Sequence, residues 1–338
     1  MTLRVGINGF GRTGRMAFRA WWQNRRDDFE IVAINRGPVA IRTHLLRHDS
    51  DYGRFPATIE DAADCFSVDG RDVKVFNANN PADIPWADAG VDVVIESSGQ
   101  FRDAQTAGEH LKGGAKKVII SAPAKGEDWT VIMGINEDQY DPAAHHVISA
   151  GSCTTNCVAL AVKAMHDAFG VESGFMSTIH SYTGDQNLVD NSHKDLRRAR
   201  AAALNIVPTS SGASALVGKI IPELAGKFDG FAYRVPTPTV SVVDMVTNLR
   251  DTPSTTDINE AYAAVAAGRM HGYLYVEDEE LVSSDFKEHP GSAIHDAPST
   301  MVVNGGRLAK TVAWYDNEWG YSCRLTDVVA LMAERGLS

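Results

Sequence analysis

The chain has 338 residues, 44% of them hydrophobic and 22% charged, which is the make-up expected of a soluble globular protein long enough for two domains. A formal net charge of −11 argues against non-specific nucleic-acid binding, which needs a basic face, and no apolar run approaches the ~18 residues of a membrane helix. Four cysteines (Cys65, Cys153, Cys157, Cys323) are too few and scattered for a disulfide framework, and the Cys153-x₃-Cys157 spacing lacks the second pair of a zinc site. A reduced, cytoplasmic, metal-free protein is expected.

The N-terminus runs straight into a strand-like segment, Leu3 to Ile7, without the pattern of a secretory leader. Asn8 follows, then Gly9-Phe10-Gly11-Arg12-Thr13-Gly14, then a helical pattern through Met16, Phe18, Ala20, Trp21 and Trp22, then a second strand from Phe29 to Asn35. G-x-G-x-x-G between a strand and a helix is the setting in which that motif binds a dinucleotide. Gly9 permits the turn, Gly11 the approach of a pyrophosphate, and Gly14 close helix–strand packing, while the helix N-terminus offers free N–H groups. Further strands are expected at Val91–Glu96 and Lys117–Ser121, with a helix from Ala104 to Gly113 between them. Such alternation implies a parallel sheet covered on both faces. Residues 61–88 read instead as a small antiparallel addition turning at Asp69-Gly70.

Where a NAD site places an acid against the ribose hydroxyls, this chain has Arg36, 22 residues after Gly14. A guanidinium there suits the 2′-phosphate of NADP, so NADP is the preferred cofactor and NAD the alternative.

A strand ending at Ser149 leads through Ala150-Gly151-Ser152 to Cys153. A helix follows, with Cys157, Leu160, Ala161, Ala164, Met165 and Ala168 on its apolar face. Cys153 therefore falls at a helix N-terminus, which favours thiolate over a thiol of ordinary pKa near 8.5.

The run S-C-T-T-N-C from Ser152 resembles the signature of the glyceraldehyde-3-phosphate dehydrogenase family. The resemblance extends along the chain through G-I-N-G-F-G-R from Gly6, I-S-A-P-A-K from Ile120, H-S-Y-T-G-D-Q from His180, R-V-P-T-P from Arg234 and W-Y-D-N-E-W-G-Y from Trp314. It implies a Rossmann dinucleotide-binding domain over residues 1–151, with a C-terminal helix (319–338) packing back on it. The catalytic domain, 152–318, is implied to be α+β with a mostly antiparallel sheet. The resemblance implies Cys153 as nucleophile and His180 as base. It implies a substrate-phosphate pocket of Thr183, Asp185 and Arg234, and an inorganic-phosphate pocket of Ser152, Thr154, Ser211 and Gly212. Asn317 would bind the nicotinamide carboxamide with Tyr321 beside it. Asn8 to Thr13, Ser97, Ser121 and Lys125 would line the cofactor cleft, with Arg12 the foremost contact. The loop 186–206, with Arg197, Arg198 and Arg200, would reach across a homotetramer.

The chain departs from the family pattern in places. Ser192, in Asp190-Asn191-Ser192-His193, stands where members restricted to NAD carry proline, and its hydroxyl can donate to a 2′-phosphate. Ser211, Ala215 and Thr239 replace the usual threonine, lysine and asparagine. The implied activity is phosphorylating oxidation of glyceraldehyde 3-phosphate. The alternatives are erythrose-4-phosphate dehydrogenase and a non-catalytic binding protein on the same fold.

Overall fold

A computed structural model describes residues 2–24 and 26–338. The chain divides into two compact units, one of residues 1–131, 137–151 and 322–338, the other of residues 132–136 and 152–321.

The first unit is built on a nine-stranded sheet. In spatial order its strands are Trp129–Thr130, Val147–Ser149, Lys117–Ile120, Val93–Glu96, Leu3–Asn8, Phe29–Asn35, Arg71–Phe76, Cys65–Val68 and Ile59–Asp61. The first seven pair in parallel and the last two antiparallel. The expected hairpin turns through Asp69 (φ 47) and Gly70 (φ 80), both left-handed as a two-residue hairpin turn requires. The helix expected from Ala104 is shorter than its pattern suggested. It is α-helical only over Ala104–Ala107, capped by the Asp103 carboxylate, and tightens to 3₁₀ over Gly108–Leu111.

The glycine motif joins the Leu3–Asn8 strand to the Arg12–Gln23 helix. Gly9 has φ 90, and a Cβ there would lie 2.5 Å from the Ser98 backbone nitrogen; one on Gly14 would lie 2.2 Å from the Gly9 carbonyl oxygen. Only glycine fits either place.

Beneath that turn, the C-terminal ends of three parallel strands carry buried polar groups, Asn8, Asn35 and Glu96. The Glu96 carboxylate accepts from Asn8 Nδ2, from the Ser98 backbone N–H (2.7 Å), from the Ser98 hydroxyl (2.5 Å) and from His110 Nε2 (3.0 Å). The direction of the last bond is fixed by Trp86, whose indole N–H donates to His110 Nδ1 at 3.0 Å and so leaves the ring proton on Nε2. Asn35 Nδ2 donates to Asn8 Oδ1 at 2.7 Å and to the Ala78 carbonyl at 2.9 Å, which ties the second strand into the same seam.

In the second unit the strands lie in the order Val207–Ser210, Phe228–Val235, Val171–Ser181, Ser241–Leu249, Leu308–Tyr315, Ala293–Asp296 and Leu274–Glu277, and Met301–Val303 joins the edge of Leu308–Tyr315. Pairing is antiparallel except between Val171–Ser181 and Phe228–Val235 and between Leu274–Glu277 and Ala293–Asp296. The fold is thus a Rossmann unit plus an α+β unit with a mostly antiparallel sheet, as expected. The Cys153–Phe169 helix buries Cys157, Leu160, Ala161, Ala164 and Met165 against the sheet. Ala168, expected on that face, is exposed in the last turn before Gly170 ends the helix at φ 67.

Replacing the Glu96 carboxylate orphans four donors at once. Glu96→Ala should destabilise the chain by about 3 kcal/mol or more in urea unfolding, and Glu96→Gln, which keeps one acceptor oxygen, by less. A loss below about 1 kcal/mol for the alanine variant would show that the seam is not anchored there.

Candidate active site

His180 lies near the end of the Val171–Ser181 strand, and the parallel register makes Arg234 its direct partner on Phe228–Val235. Adjacent Cα partners in a sheet project side chains to the same face. Cys153 opens its helix, with Ser152 as N-cap accepting from the Thr155 N–H at 3.1 Å. These two elements bring Cys153 Sγ to 3.5 Å from His180 Nε2.

On the other side of the ring, His180 Nδ1 lies 2.7 Å from the Ser181 carbonyl and 3.0 Å from an Arg234 Nη. In the tautomer whose Nδ1 proton goes to the Ser181 carbonyl, the Nε2 lone pair faces the sulfur, as a base requires, and the Arg234 Nη beside Nδ1 acts on the ring through its charge. The same Arg234 nitrogen donates to the Ser181 carbonyl (3.1 Å) and the Thr183 hydroxyl (3.2 Å), while Nε is buried without a partner. Arg234 forms no ion pair among the described residues. It is a half-buried cation whose hydrogen-bond partners are all neutral, with Asp185 and Arg198 the charged groups that also act on it, and an uncancelled guanidinium suits an incoming anion.

Burial is the largest influence on both reacting groups. It pushes the Cys153 thiol up, and the Arg234 charge is the first influence pulling it back, followed by the Thr154 hydroxyl and the N–H groups at the helix start. Beside the expected helix N-terminus and His180, the Arg234 charge is an influence on the sulfur that was not anticipated, and it comes before the helix N–H groups. His180 is pushed down to about 3, by burial and then by Arg234.

The other expected phosphate ligands divide. Thr183 stands with Arg234. The Ser152 hydroxyl caps its helix and also meets Thr155 Oγ1 at 2.7 Å. The Thr154 hydroxyl is buried against the Tyr315 hydroxyl (2.9 Å). Ser211 Oγ accepts from the Ala213 N–H at 3.3 Å, and Gly212 is exposed at the start of the Ala213–Ile220 helix. Asp185 is tied to the Arg198 guanidinium. Its negative charge suits it to orient that arginine rather than to touch phosphate itself. Arg198 also donates to Thr209 Oγ1 at 3.0 Å, and its charge weighs on both His180 and Arg234. The sequence reading placed Arg198 only in an intersubunit loop; here it is a second cation near the base.

Tyr315 was also missed. Its hydroxyl bridges Thr154 and Thr178 (2.8 Å), and its ring meets His180 edge-on with centroids 6.0 Å apart. The signal was present in the W-Y-D-N motif, where Asn317 drew the attention. The Asn317 carboxamide oxygen accepts from the Ser181 hydroxyl (2.8 Å) and the Ser241 hydroxyl (3.0 Å), so its NH₂ is the end left for a ligand. Tyr321 is buried in the first turn of the Trp319–Arg335 helix. Thr239 donates to the buried Asp316 carboxylate at 3.2 Å, and nothing in the structure explains Ala215.

The residues expected to hold the dinucleotide fit one. Gly11 ends the turn with open space where a Cβ would be, and the Arg12–Gln23 helix starts without a side-chain cap. Its first N–H groups and its dipole suit a pyrophosphate. Thr13 sits half-buried in that first turn. Ser97 braces the turn by donating to the Gly9 carbonyl at 2.7 Å, and the Ser121 N–H donates to the Glu96 carbonyl at 2.9 Å. Some side-chain expectations are corrected. Phe10 packs in the core 5.8 Å from Phe18, so only its backbone could meet a ligand. Asn8 spends its amide in the buried seam. The Arg12 guanidinium is held by Asp49 and Asp51 and lies over Tyr52. Arg36 is half-buried, with a guanidinium that meets only neutral side chains; Ser192 and Lys125 are exposed.

The Arg234 charge stabilises a thiolate, so Arg234→Met should raise the Cys153 pKa further. Iodoacetamide alkylation at neutral pH would then slow several-fold and its pH midpoint move upward, with Arg234→Lys in between. Alkylation rates followed by mass spectrometry across the thiol range check this; an unmoved midpoint would show that the guanidinium does not act on the sulfur.

Two family models cover most of the chain: "Glyceraldehyde 3-phosphate dehydrogenase, NAD binding domain" over residues 3–104 and "Glyceraldehyde 3-phosphate dehydrogenase, C-terminal domain" over residues 152–317. The chain is 53% identical to glyceraldehyde-3-phosphate dehydrogenase 2 of Streptomyces arenae over 98% of its own length and 99% of that protein's. It is 49% identical to the glyceraldehyde-3-phosphate dehydrogenase of Geobacillus stearothermophilus over the full length of both. Against glyceraldehyde-3-phosphate dehydrogenase 2 of Bacillus subtilis the identity is 45%, over 99% and 98%. With the sulfur, the imidazole and the guanidinium assembled as such chemistry needs, the chain belongs to the glyceraldehyde-3-phosphate dehydrogenase family.

Proposed function

We propose that the chain catalyses the reversible, phosphorylating oxidation of D-glyceraldehyde 3-phosphate to 1,3-bisphosphoglycerate through a Cys153 thioester, with NADP preferred over NAD. The observation that carries the reading is the 3.5 Å approach of Cys153 Sγ to the free side of a His180 ring whose other nitrogen is held. The Cys153 Sγ proton passes through His180 Nε2 to the aldehyde oxygen as the sulfur adds to the aldehyde carbon, forming a hemithioacetal; the Cys153 N–H stabilises the oxyanion on the way. His180 Nε2 then takes the hydroxyl proton as the carbon loses hydride. The nicotinamide dinucleotide, when bound, supplies the hydride acceptor. Phosphate oxygen attacks the resulting thioester, the C–S bond breaks, and the sulfur leaves as thiolate beside Arg234. Asn317 would hold the carboxamide through its free NH₂, with Tyr321 beside it; Thr183 and Arg234 would hold the substrate phosphate, and Ser152, Ser211, Gly212 and Arg198 the attacking one.

NADP preference is supported by Arg36, which has no carboxylate partner among the described residues, and by the exposed Ser192 hydroxyl. A homotetramer is supported by apolar groups the single chain leaves uncovered. Phe175, Phe231, Val246, Met301, Val303 and Leu308 share one exposed face of the second sheet. In the 186–206 loop, Leu196 and Leu204 are 84% and 83% exposed. Uncovered apolar area of this kind marks an interface. Cytoplasmic residence is supported by four free cysteines; no helix among the described residues is long and apolar enough to cross a membrane.

Steady-state kinetics with NAD and NADP side by side test the cofactor assignment. Wild type should show the higher kcat/KM with NADP, and Arg36→Asp should shift the ratio towards NAD by about tenfold or more. Equal or better efficiency of the wild type with NAD would refute it. Turnover should require inorganic phosphate; turnover without it would indicate hydrolysis of the acyl-enzyme instead. Light scattering should report four chains, and Phe175→Asp with Phe231→Asp should lower that number; a wild-type monomer would exclude the assembly.

A further inference from the structure

At the end of the Phe29–Asn35 strand the backbone turns through Arg36 with φ 114, a conformation that residues bearing a Cβ rarely adopt. It is held from two sides. The N–H groups of Arg36 and Gly37 both donate to the Phe76 carbonyl, at 2.9 and 3.2 Å. From the Val39–Arg47 helix, the Arg42 guanidinium donates through Nε to the Arg36 carbonyl and through Nη2 to the Gly37 carbonyl at 3.4 Å. The Arg36 side chain is held in turn by Asn79 Oδ1 (3.3 Å) and Gln100 Oε1 (3.0 Å). Among the described residues every partner of these two guanidiniums is neutral, in a chain of net charge −11. Burial and the nearby Arg36 charge both push Arg42 below its ordinary value, so the two cations sit close without a counter-ion. Amide oxygens orient a guanidinium without neutralising it; a carboxylate in their place would compete with an incoming anion.

We propose that Arg42, Asn79 and Gln100 form a positioning frame that presents the Arg36 guanidinium to a terminal phosphate dianion, the 2′-phosphate of a phosphorylated dinucleotide. The frame rests on the NADP reading of Arg36 and extends it to three residues whose roles are positional. Arg42 acts through the Arg36 backbone, and Asn79 and Gln100 act through its side chain.

Calorimetric binding of 2′,5′-ADP and of AMP to the whole enzyme isolates the adenosine end of the cofactor. Arg42→Met should weaken 2′,5′-ADP about tenfold and leave AMP unchanged, the scale of one lost charge-assisted bond. Gln100→Glu should weaken 2′,5′-ADP more than Gln100→Leu, because it adds a competing carboxylate. The double variant Arg36→Met/Arg42→Met should bind 2′,5′-ADP no more weakly than Arg36→Met alone. An unchanged 2′,5′-ADP to AMP ratio in Arg42→Met overturns the frame. So does equal weakening of both ligands, which marks a merely structural role, and so do additive losses in the double variant, which mark direct contact with phosphate. If the wild type binds AMP as tightly as 2′,5′-ADP, the NADP reading itself fails and the frame falls with it.

Discussion

The parallel pairing of His180 with Arg234 is the constraint on which the catalytic unit turns. In a sheet that is otherwise mostly antiparallel, two strands run the same way and place an imidazole and a guanidinium shoulder to shoulder. The consequence is electrostatic. A cation 3.0 Å from the imidazole disfavours a second positive charge on the ring, so the His180 ring is kept neutral. The same cation favours a negative sulfur. One guanidinium thus favours a negative sulfur and a neutral ring together, and burial strengthens its reach by lowering the local dielectric. Burial also opposes the thiolate. The site is a balance, which an anion bound on Arg234 would shift by partly cancelling that charge and letting the ring accept a proton more readily.

The dinucleotide-binding unit solves a different problem. The ends of parallel strands leave polar backbone and side-chain groups where a ligand must approach, and those not used by the ligand must be satisfied from within. Glu96 does this as a buried carboxylate with four donors, and the Trp86 indole, two steps away, decides which nitrogen of His110 carries the proton. The cost of burying that charge is offset only while all four donors are present. The seam therefore fixes the spacing of the strand ends on which the Gly9 turn and the Ser97–Ser98 segment rest.

Much of this was legible in the sequence, and what was not has physical reasons. The glycine turn could be read because steric demand is local: φ at Gly9 and the close approach at Gly14 constrain residue type directly. Cys153 and the start of its helix were legible from small residues before an apolar 3–4 repeat. The polar seam was not, because Asn8, Glu96 and His110 are far apart in sequence, and nothing in periodicity shows that strand order brings them together. Arg198 was misjudged for the same reason. Inside a basic run it looked like one charge among three, and only the fold shows it turned back on Asp185 and Thr209. Arg12 shows the same limit: its motif position points to a ligand contact, and nothing local shows that Asp49 and Asp51, more than thirty residues away in the chain, hold its guanidinium.

These arginines point to a rule for reading charge in an acidic protein. Arg12, Arg26 and Arg47 each end on an aspartate, and a cation so matched contributes to structure more than to binding. Arg234 and Arg36 end on a carbonyl, a hydroxyl and amides. Neutral partners fix direction but leave the charge uncancelled, and keeping such a charge half-buried is costly unless an anion completes it. What separates the two classes is the identity of the partner, which the sequence does not show and the fold does. In each unit one such arginine keeps its charge uncancelled: Arg234, whose charge acts on the Cys153 sulfur, and Arg36, at the end of the Phe29–Asn35 strand.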